Sequence, residues 1–283
     1  MGSLLLAALS WPLLGTGTVV AAPPPVLSLV VCAPGYPGST AEAQPAMDRL
    51  AAAVGAAAGW KPGELKAAYF ETEQAGLDRL SSDDAALALV PLPFWLQYQA
   101  RLQLAPLMQA IEEGGQAAER WTLVAATGSV TGARSLAGFE LVSVAAYVPR
   151  FVRGPVLGAW GELPRDLTMT FSSAVLTALR RASAGEKVVL LLDRAQAAAL
   201  PKLPLASKLR VVTESAPLPV SVLSSVGGRL PAARQKAVVS ALASLHTTPA
   251  GAEALAGVRL ARFVAADQAA LARARDAFDR IKE

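Results

Sequence analysis

VLSLVVCA at residues 26–33, PGYPGST at 34–40 and AEAQPAMDRLAAAVGAAAG at 41–59 read in succession as strand, loop and helix. The first run is almost continuously apolar, the pattern of a strand buried on both faces of a parallel sheet. The second gathers the Pro, Gly and Ser of a turn, and the third repeats its apolar residues at helical spacing. The alternation continues outward. Lys66–Phe70 reads as a second strand, Glu73–Leu80 as a helix, and Ala85–Val90 as a third strand ending in the loop Pro91-Leu92-Pro93-Phe94-Trp95. Strands alternating with helices predict an α/β fold.

A second unit of the same kind follows. Trp121–Ala126, Glu140–Val144, Lys187–Leu192 and Leu209–Thr213 read as strands, with a short helix ending at Gly138 and a longer one over Ser172–Ala184. Asp193 ends a strand and stands where a helix cap is needed. Ala232–Leu245 and Ala252–Glu283 read as mostly helical. The expected organisation is a lobe made of residues 26–118 plus 216–283, interrupted by a second lobe over 119–215. Such an arrangement leaves a cleft between lobes, where ligands bind and hinges close.

Composition narrows the chemistry. The chain has 283 residues, 53% of them hydrophobic and 17% charged, which favours a packed core over disorder. One cysteine excludes an internal disulfide framework and a multi-cysteine metal site, and one histidine, His246, excludes a histidine-rich centre. No nucleophile, base and orienting group come together along the chain, so an enzyme, a cofactor and a metal are not expected. Residues 1–149 carry 7 Lys/Arg against 12 Asp/Glu, a net −5, while residues 150–283 carry 19 against 10, a net +9. The basic residues are scattered at helical spacing without aromatic interleaving, so they read as solvated faces and not as a nucleic-acid surface.

Leu4–Leu14 is an apolar run followed by small residues through Ala22, so residues 1–22 read as a secretory signal peptide, although no Lys or Arg precedes the run. Export of a chain with one thiol suits the periplasm, with the protein soluble and monomeric. Cys32, inside the first strand, reads as a buried thiol.

The order of elements resembles the phosphate, phosphite and phosphonate-binding family of periplasmic solute-binding proteins of ABC transporters. The residues that carry it are AEAQPAMDRLAAAV, ALALVPLPFWL, SLAGFELVSVAAYVPRF, AVLTALRRASAGE, KVVLLLDRAQ, LRVVTESAPLP and the closing LPAARQKAVVSALASLHTTPAGAEALAGVRLARFV. The resemblance implies a two-lobed type 2 periplasmic binding protein, each lobe a mainly parallel sheet flanked by helices, with the ligand in the cleft. It also implies a membrane transport component, of the inner or outer membrane, as partner.

Phosphonate binders of this family present Ser, Thr and Gly at the start of a helix in the second lobe, where hydroxyls and amides hold the anion. Here that run is Ser143-Val144-Ala145-Ala146-Tyr147, with one hydroxyl before the tyrosine. The aromatic residues Tyr36, Phe94, Trp95, Tyr147 and Phe151 fall where the cleft is expected, an apolar lining similar to that of bacterial periplasmic sterol-binding proteins. The expected solute is therefore a small hydrophobic molecule, a sterol or other lipid. The alternative is an oxyanion, phosphonate or phosphate, held by the backbone amides near Ser143–Tyr147. Ser39 and Thr40 stand either as helix caps or as ligand contacts. Arg150 shares a helical face with Tyr147 and is either a head-group contact or an ion-pair residue. Asp193 is either a cap or a partner for a ligand hydroxyl.

Overall fold

The computed structural model describes residues 25–282; the expected signal peptide, residues 1–22, lies outside them. The first strands and helices form where the sequence places them: β1 (Leu27–Cys32), α1 (Thr40–Ala57), β2 (Leu65–Phe70), α2 (Glu73–Leu80) and β3 (Ala85–Pro91). Then come α3 (Leu92–Leu102), β4 (Leu104–Glu112) and a short crossing strand, β5 (Ala118–Glu119).

The middle of the chain supplies β6 (Thr122–Ala126), β7 (Glu140–Ser143), the one-turn α4 (Pro149–Phe151), β8 (Thr168–Phe171) and α5 (Val175–Ser183). It continues with β9 (Val188–Leu192), α6 (Arg194–Ala199) and β10 (Leu209–Glu214). A second crossing strand, β11 (Leu218–Pro219), returns the chain to β12 (Ser221–Val226), α7 (Ala232–Ser244), α8 (Pro249–Ala256), β13 (Leu260–Ala265) and α9 (Gln268–Asp279).

Strands from the two ends of the chain make one sheet, in the order β13-β4-β12-β3-β1-β2, and the middle strands make another, β10-β6-β9-β7-β8. The crossing strands pair only with each other, Leu218 opposite Glu119 and Pro219 opposite Ala118. Both sheets are mixed where mainly parallel ones were expected. β1, β2 and β3 run parallel, as do β7, β8 and β9, but β12 opposes both of its neighbours and so does β6. Two of the reversed strands, β6 and β12, directly follow β5 and β11, so each crossover inserts its strand against the prevailing direction; the third, β13, runs against β4 at the sheet's edge.

Two further stretches depart from the sequence reading. Residues 92–102, expected to open as a loop, form α3, with Pro93 at the start, where a missing amide costs nothing. Residues 260–265, expected to be helical, form the edge strand β13 against β4. That strand fully buries only Phe263, so Leu260, Ala261, Arg262 and Val264 carry no strong strand signal.

The C-terminal helix α9 belongs by chain position to the first lobe, yet it packs on the turn at Val152–Val156 in the second. Arg150 fixes it there. The guanidinium donates to the carbonyls of Ile281 at 3.1 Å and Phe278 at 3.3 Å, and lies 4.2 Å from the centre of the Phe278 ring.

Candidate functional site

The carboxyl ends of β1, β3, β7, β8 and β9 converge between the two sheets, where open α/β sheets bind ligands. The loop after β1 brings Tyr36, and β3 ends at Pro91 with Pro93 just beyond. β7 is followed by Val144, Ala145 and Tyr147, β8 ends at Phe171, and β9 is followed by Asp193. Close to the crossing strands, Pro34, Tyr36, Pro91 and Pro93 from one side meet Glu119, Trp121, Val144, Ala145 and Tyr147 from the other around a cavity of about 10 Å³. Tyr36 and Val144 also line a wide groove of about 1170 Å³ that opens outward past Glu42, Glu71, Glu112, Glu113, Phe171, Asp193 and Arg259.

Of the residues expected at the site, Tyr36 and Tyr147 face one another's loops across the small cavity. The hydroxyl oxygen of Tyr147 is fully buried and has no hydrogen-bond partner in the protein. Its ring packs edge-on against Phe171, with centroids 5.5 Å apart. Burial pushes the Tyr36 phenol well above its ordinary range, and the nearby carboxyls of Asp193, Glu119 and Glu112 push it further. Burial raises the Tyr147 phenol likewise, so both tyrosines keep their protons and each has a hydrogen to donate. Asp193 lines the groove and caps α6, its Oδ1 accepting from the Gln196 amide at 2.8 Å.

The other expected residues are engaged elsewhere. Phe94, Trp95 and Phe151 lie in the hydrophobic core, none more than 2% exposed, so they form no open apolar wall. Phe94 packs on Tyr98, and Phe151 meets Trp121 edge-on at 5.7 Å. Ser39 caps α1 in a reciprocal pair with Glu42, and Thr40 donates its hydroxyl to Glu71 at 2.8 Å. Ser143 is buried, donates to the Leu191 carbonyl at 2.7 Å and accepts from the Ala145 amide at 3.1 Å. The amides of Ala146 and Val148 bond to the carbonyls of Ser143 and Ala145 at 3.3 and 3.1 Å. Three amides of the expected anion cradle, those of Ala145, Ala146 and Val148, are thus used within their own turn, and α4 runs directly on into the turn at Val152–Val156. Arg150 faces α9, away from the cleft.

Glu112, Glu119, Trp121, Gly35 and Phe171 belong to the site without having been singled out in the sequence. Glu119 is 8% exposed, and burial pushes its carboxyl up to about 7, with the Asp193 and Glu112 carboxyls adding to the rise. Burial also raises Glu112 and Asp193. The sequence shows only the charged pair Glu119-Arg120 before the apolar run 121–126, which does not single out Glu119. Phe171 ends a strand too exposed to register as one.

Among the described residues, no group of His, Cys, Asp and Glu could hold a metal ion, and no helix is long and apolar enough to cross a membrane.

The architecture is that of solved two-lobed binding proteins. A Xanthomonas citri protein bound to a chloride ion matches with a TM-score of 0.69 at 15% identity, over 89% of this chain and 98% of the other. A binding-protein component of an ABC phosphonate transporter from Pseudomonas aeruginosa matches with a TM-score of 0.60 at 14% identity, over 87% and 83% of the two chains. PhnD1 from Prochlorococcus marinus, solved in complex with methylphosphonate, matches with a TM-score of 0.60 at 13% identity, over 90% and 99%. At these identities the likeness is one of fold, a type 2 periplasmic binding protein. No curated protein matches in sequence. The family model described as "ABC transporter, phosphonate, periplasmic substrate-binding protein" matches residues 38–271, and the chain belongs to that family.

Proposed function

We propose that this chain is the periplasmic solute receptor of an ABC importer, and that it carries a small oxyanion of the phosphonate class to the membrane complex. The observation that carries this reading is the pair of phenols, Tyr36 and Tyr147, brought from opposite lobes to one cavity, the second with a buried hydroxyl that has no partner. A buried donor without an acceptor costs about 1–3 kcal/mol, which an oxyanion oxygen would recover. Membership of the phosphonate-binding family supports the same solute class.

The sterol alternative has less behind it. A sterol needs an enclosed, mainly apolar space of several hundred Å³, about 300 or more. The small cavity holds only about 10 Å³, the groove is open and presents the carboxyls of Glu42, Glu71, Glu112, Glu113 and Asp193 beside apolar residues such as Met47, Val144 and Phe171, and Phe94, Trp95 and Phe151 are in the core.

Calorimetric titration of the purified protein with methylphosphonate and with inorganic phosphate tests the reading, with mass spectrometry of a lipid extract in parallel. Saturable binding of either anion with no co-purifying lipid is expected. A stoichiometric sterol and no anion binding would overturn it.

A further inference from the structure

The hinge contains a carboxyl with an unusual position. Glu119 lies on the crossing strand β5 and lines the cavity together with Tyr36 and Tyr147. Its Oε2 accepts a hydrogen bond from the Arg194 amide at 3.3 Å, which leaves Oε1 for another partner. The titratable and charged groups facing it are Asp193 and Arg194 of the α6 start, Glu112 at the end of β4, and Tyr36 after β1. Arg194 is the one cation among them, and its guanidinium reaches instead toward Glu112 at 3.7 Å and the Gly114 carbonyl at 3.4 Å. Three carboxyls therefore stand near one guanidinium, Glu119 and Asp193 buried and Glu112 and Arg194 partly exposed.

Resting on the oxyanion reading, we propose that the Glu119 carboxyl donates a hydrogen bond to one oxygen of the bound oxyanion, beside the phenols of Tyr36 and Tyr147, so that the receptor takes up its solute together with a proton. The size of the cavity fits this role. About 10 Å³ accommodates one water-sized atom, hence a single oxygen, while the rest of the solute extends into the groove through Tyr36 and Val144. Of the donors that could otherwise hold that oxygen, the Ser143 hydroxyl and the amides of Ala145, Ala146 and Val148 are occupied. An ionised Glu119 would repel the anion and offer it no hydrogen, whereas a neutral carboxyl gives one donor and keeps an acceptor for the Arg194 amide.

The sign of the pH dependence follows. Burial holds the Glu119 carboxyl at about 7, above its ordinary value of 4.5. Below that pH the proton is in place and affinity does not vary with pH through Glu119. Above it, binding must first take up a proton, and affinity falls about tenfold per pH unit. A phosphonate's own second ionisation falls in the same range, so a comparison between proteins is needed.

The test is calorimetric titration of methylphosphonate and inorganic sulfate into the wild type, Glu119→Gln and Tyr147→Phe from about pH 5.5 to about pH 8.5. Gln keeps a donor and cannot ionise. The affinity of Glu119→Gln relative to wild type is expected near unity at the acid end and about thirtyfold at the alkaline end. Tyr147→Phe is expected to weaken binding about tenfold at every pH. A ratio that does not vary with pH, with methylphosphonate bound by both proteins, overturns the proposal and leaves the oxyanion reading standing. Should Glu119→Gln fail to fold, wild type and sulfate decide, because sulfate does not titrate in this range. Affinity falling above about pH 7 supports the donor, and constant affinity overturns it. A wild type that binds neither anion ends both the proposal and the reading beneath it.

Discussion

Phe171, at the end of a strand of the second sheet, lies directly over Gly35 in the loop after the first strand. A Cβ added to Gly35 would stand 2.8 Å from the Phe171 ring, and Gly35 holds φ +81°. Phe171 remains 45% exposed despite this contact, so it sits at the mouth of the groove and not in the core. The contact bridges the two sheets outside the cavity lined by Tyr36 and Tyr147.

If the two sheets close on a solute, Gly35→Ala should act on that closure. The substituted residue meets left-handed strain of about 1–2 kcal/mol and the edge of the Phe171 ring. Solute affinity is expected to fall about fivefold to twentyfold, with a larger mean radius of gyration by small-angle scattering at saturating methylphosphonate. Phe171→Ala in the same background should recover the steric part and leave the backbone part. If Gly35→Ala binds and closes like wild type, the Gly35–Phe171 contact plays no part in closure.

Arg150 was open to a ligand role by its spacing from Tyr147, and its neighbours point to a different one. It donates to the carbonyls of Phe278 and Ile281 and covers the Phe278 ring, tying the last helix to the second lobe. Arg150→Ala removes two charge-assisted hydrogen bonds and a cation–π contact, and is expected to cost about 2–3 kcal/mol. Amide exchange in Gln268–Asp279 should quicken ahead of the rest of the chain. Methylphosphonate affinity should change less than about threefold. A large loss of affinity in a stable protein would return Arg150 to the site.

The elements that the sequence made legible are those with a continuous apolar run or a strong cap. VLSLVVCA, ALALV and KVVLLL are buried along almost their whole length, and Asp193 caps its helix as the strand–helix junction demanded. What stayed hidden was carried by few residues or by distant partners. The edge strand at 260–265 buries one side chain and is composed of good helix formers, so its pairing with Met108–Glu112 decides its state. Pro93 was a helix-start signal read as part of a loop. At the site, strand ends located Tyr36, Tyr147 and Asp193. Aromatic character alone could not separate a cleft wall from core, which is where Phe94, Trp95 and Phe151 lie. Glu119 was invisible because its importance comes from the crossing of the two connecting strands, a relation between residues about a hundred positions apart.

Stability should depend on pH through Asp84. Hydrogen bonds from Arg79, at 2.6 and 2.8 Å, and from Ser28 at 2.7 Å hold its carboxyl down at about 2, below its ordinary 3.8. A depressed carboxyl stabilises the fold above its unfolded value and loses that contribution as pH falls through the folded one. The loss should come between about pH 4 and pH 2. The Asp84 side chain is 44% exposed, so solvent screening limits the effect to about 1 kcal/mol. Denaturant midpoints measured across that window should fall for the wild type and fall less for Arg79→Ala, which is expected to start lower. Equal slopes would remove the pair from the acid response.

Gly76 and Cys32 supply a packing test that is independent of the ligand. Gly76 is inside a helix, where Ala would ordinarily stabilise by about 1 kcal/mol. A Cβ there would overlap the Cys32 sulfur and stand 2.7 Å from its Cβ, so the helix lies against the first strand only because that position lacks a side chain. The thiol is fully buried, donates weakly to the Thr72 carbonyl and is pushed up to about 12 by burial, so it is an inert space-filling group. Gly76→Ala is expected to destabilise by about 1–3 kcal/mol through overpacking. Cys32→Ala alone should cost about 1–2 kcal/mol for the lost contacts. The double variant should be less destabilised than the two losses added, because removing sulfur clears the nearer clash while the Cβ at 2.7 Å keeps part of it. Strict additivity in urea unfolding would mean that the helix shifts away as a body, and that Cys32 does not set its distance from the sheet.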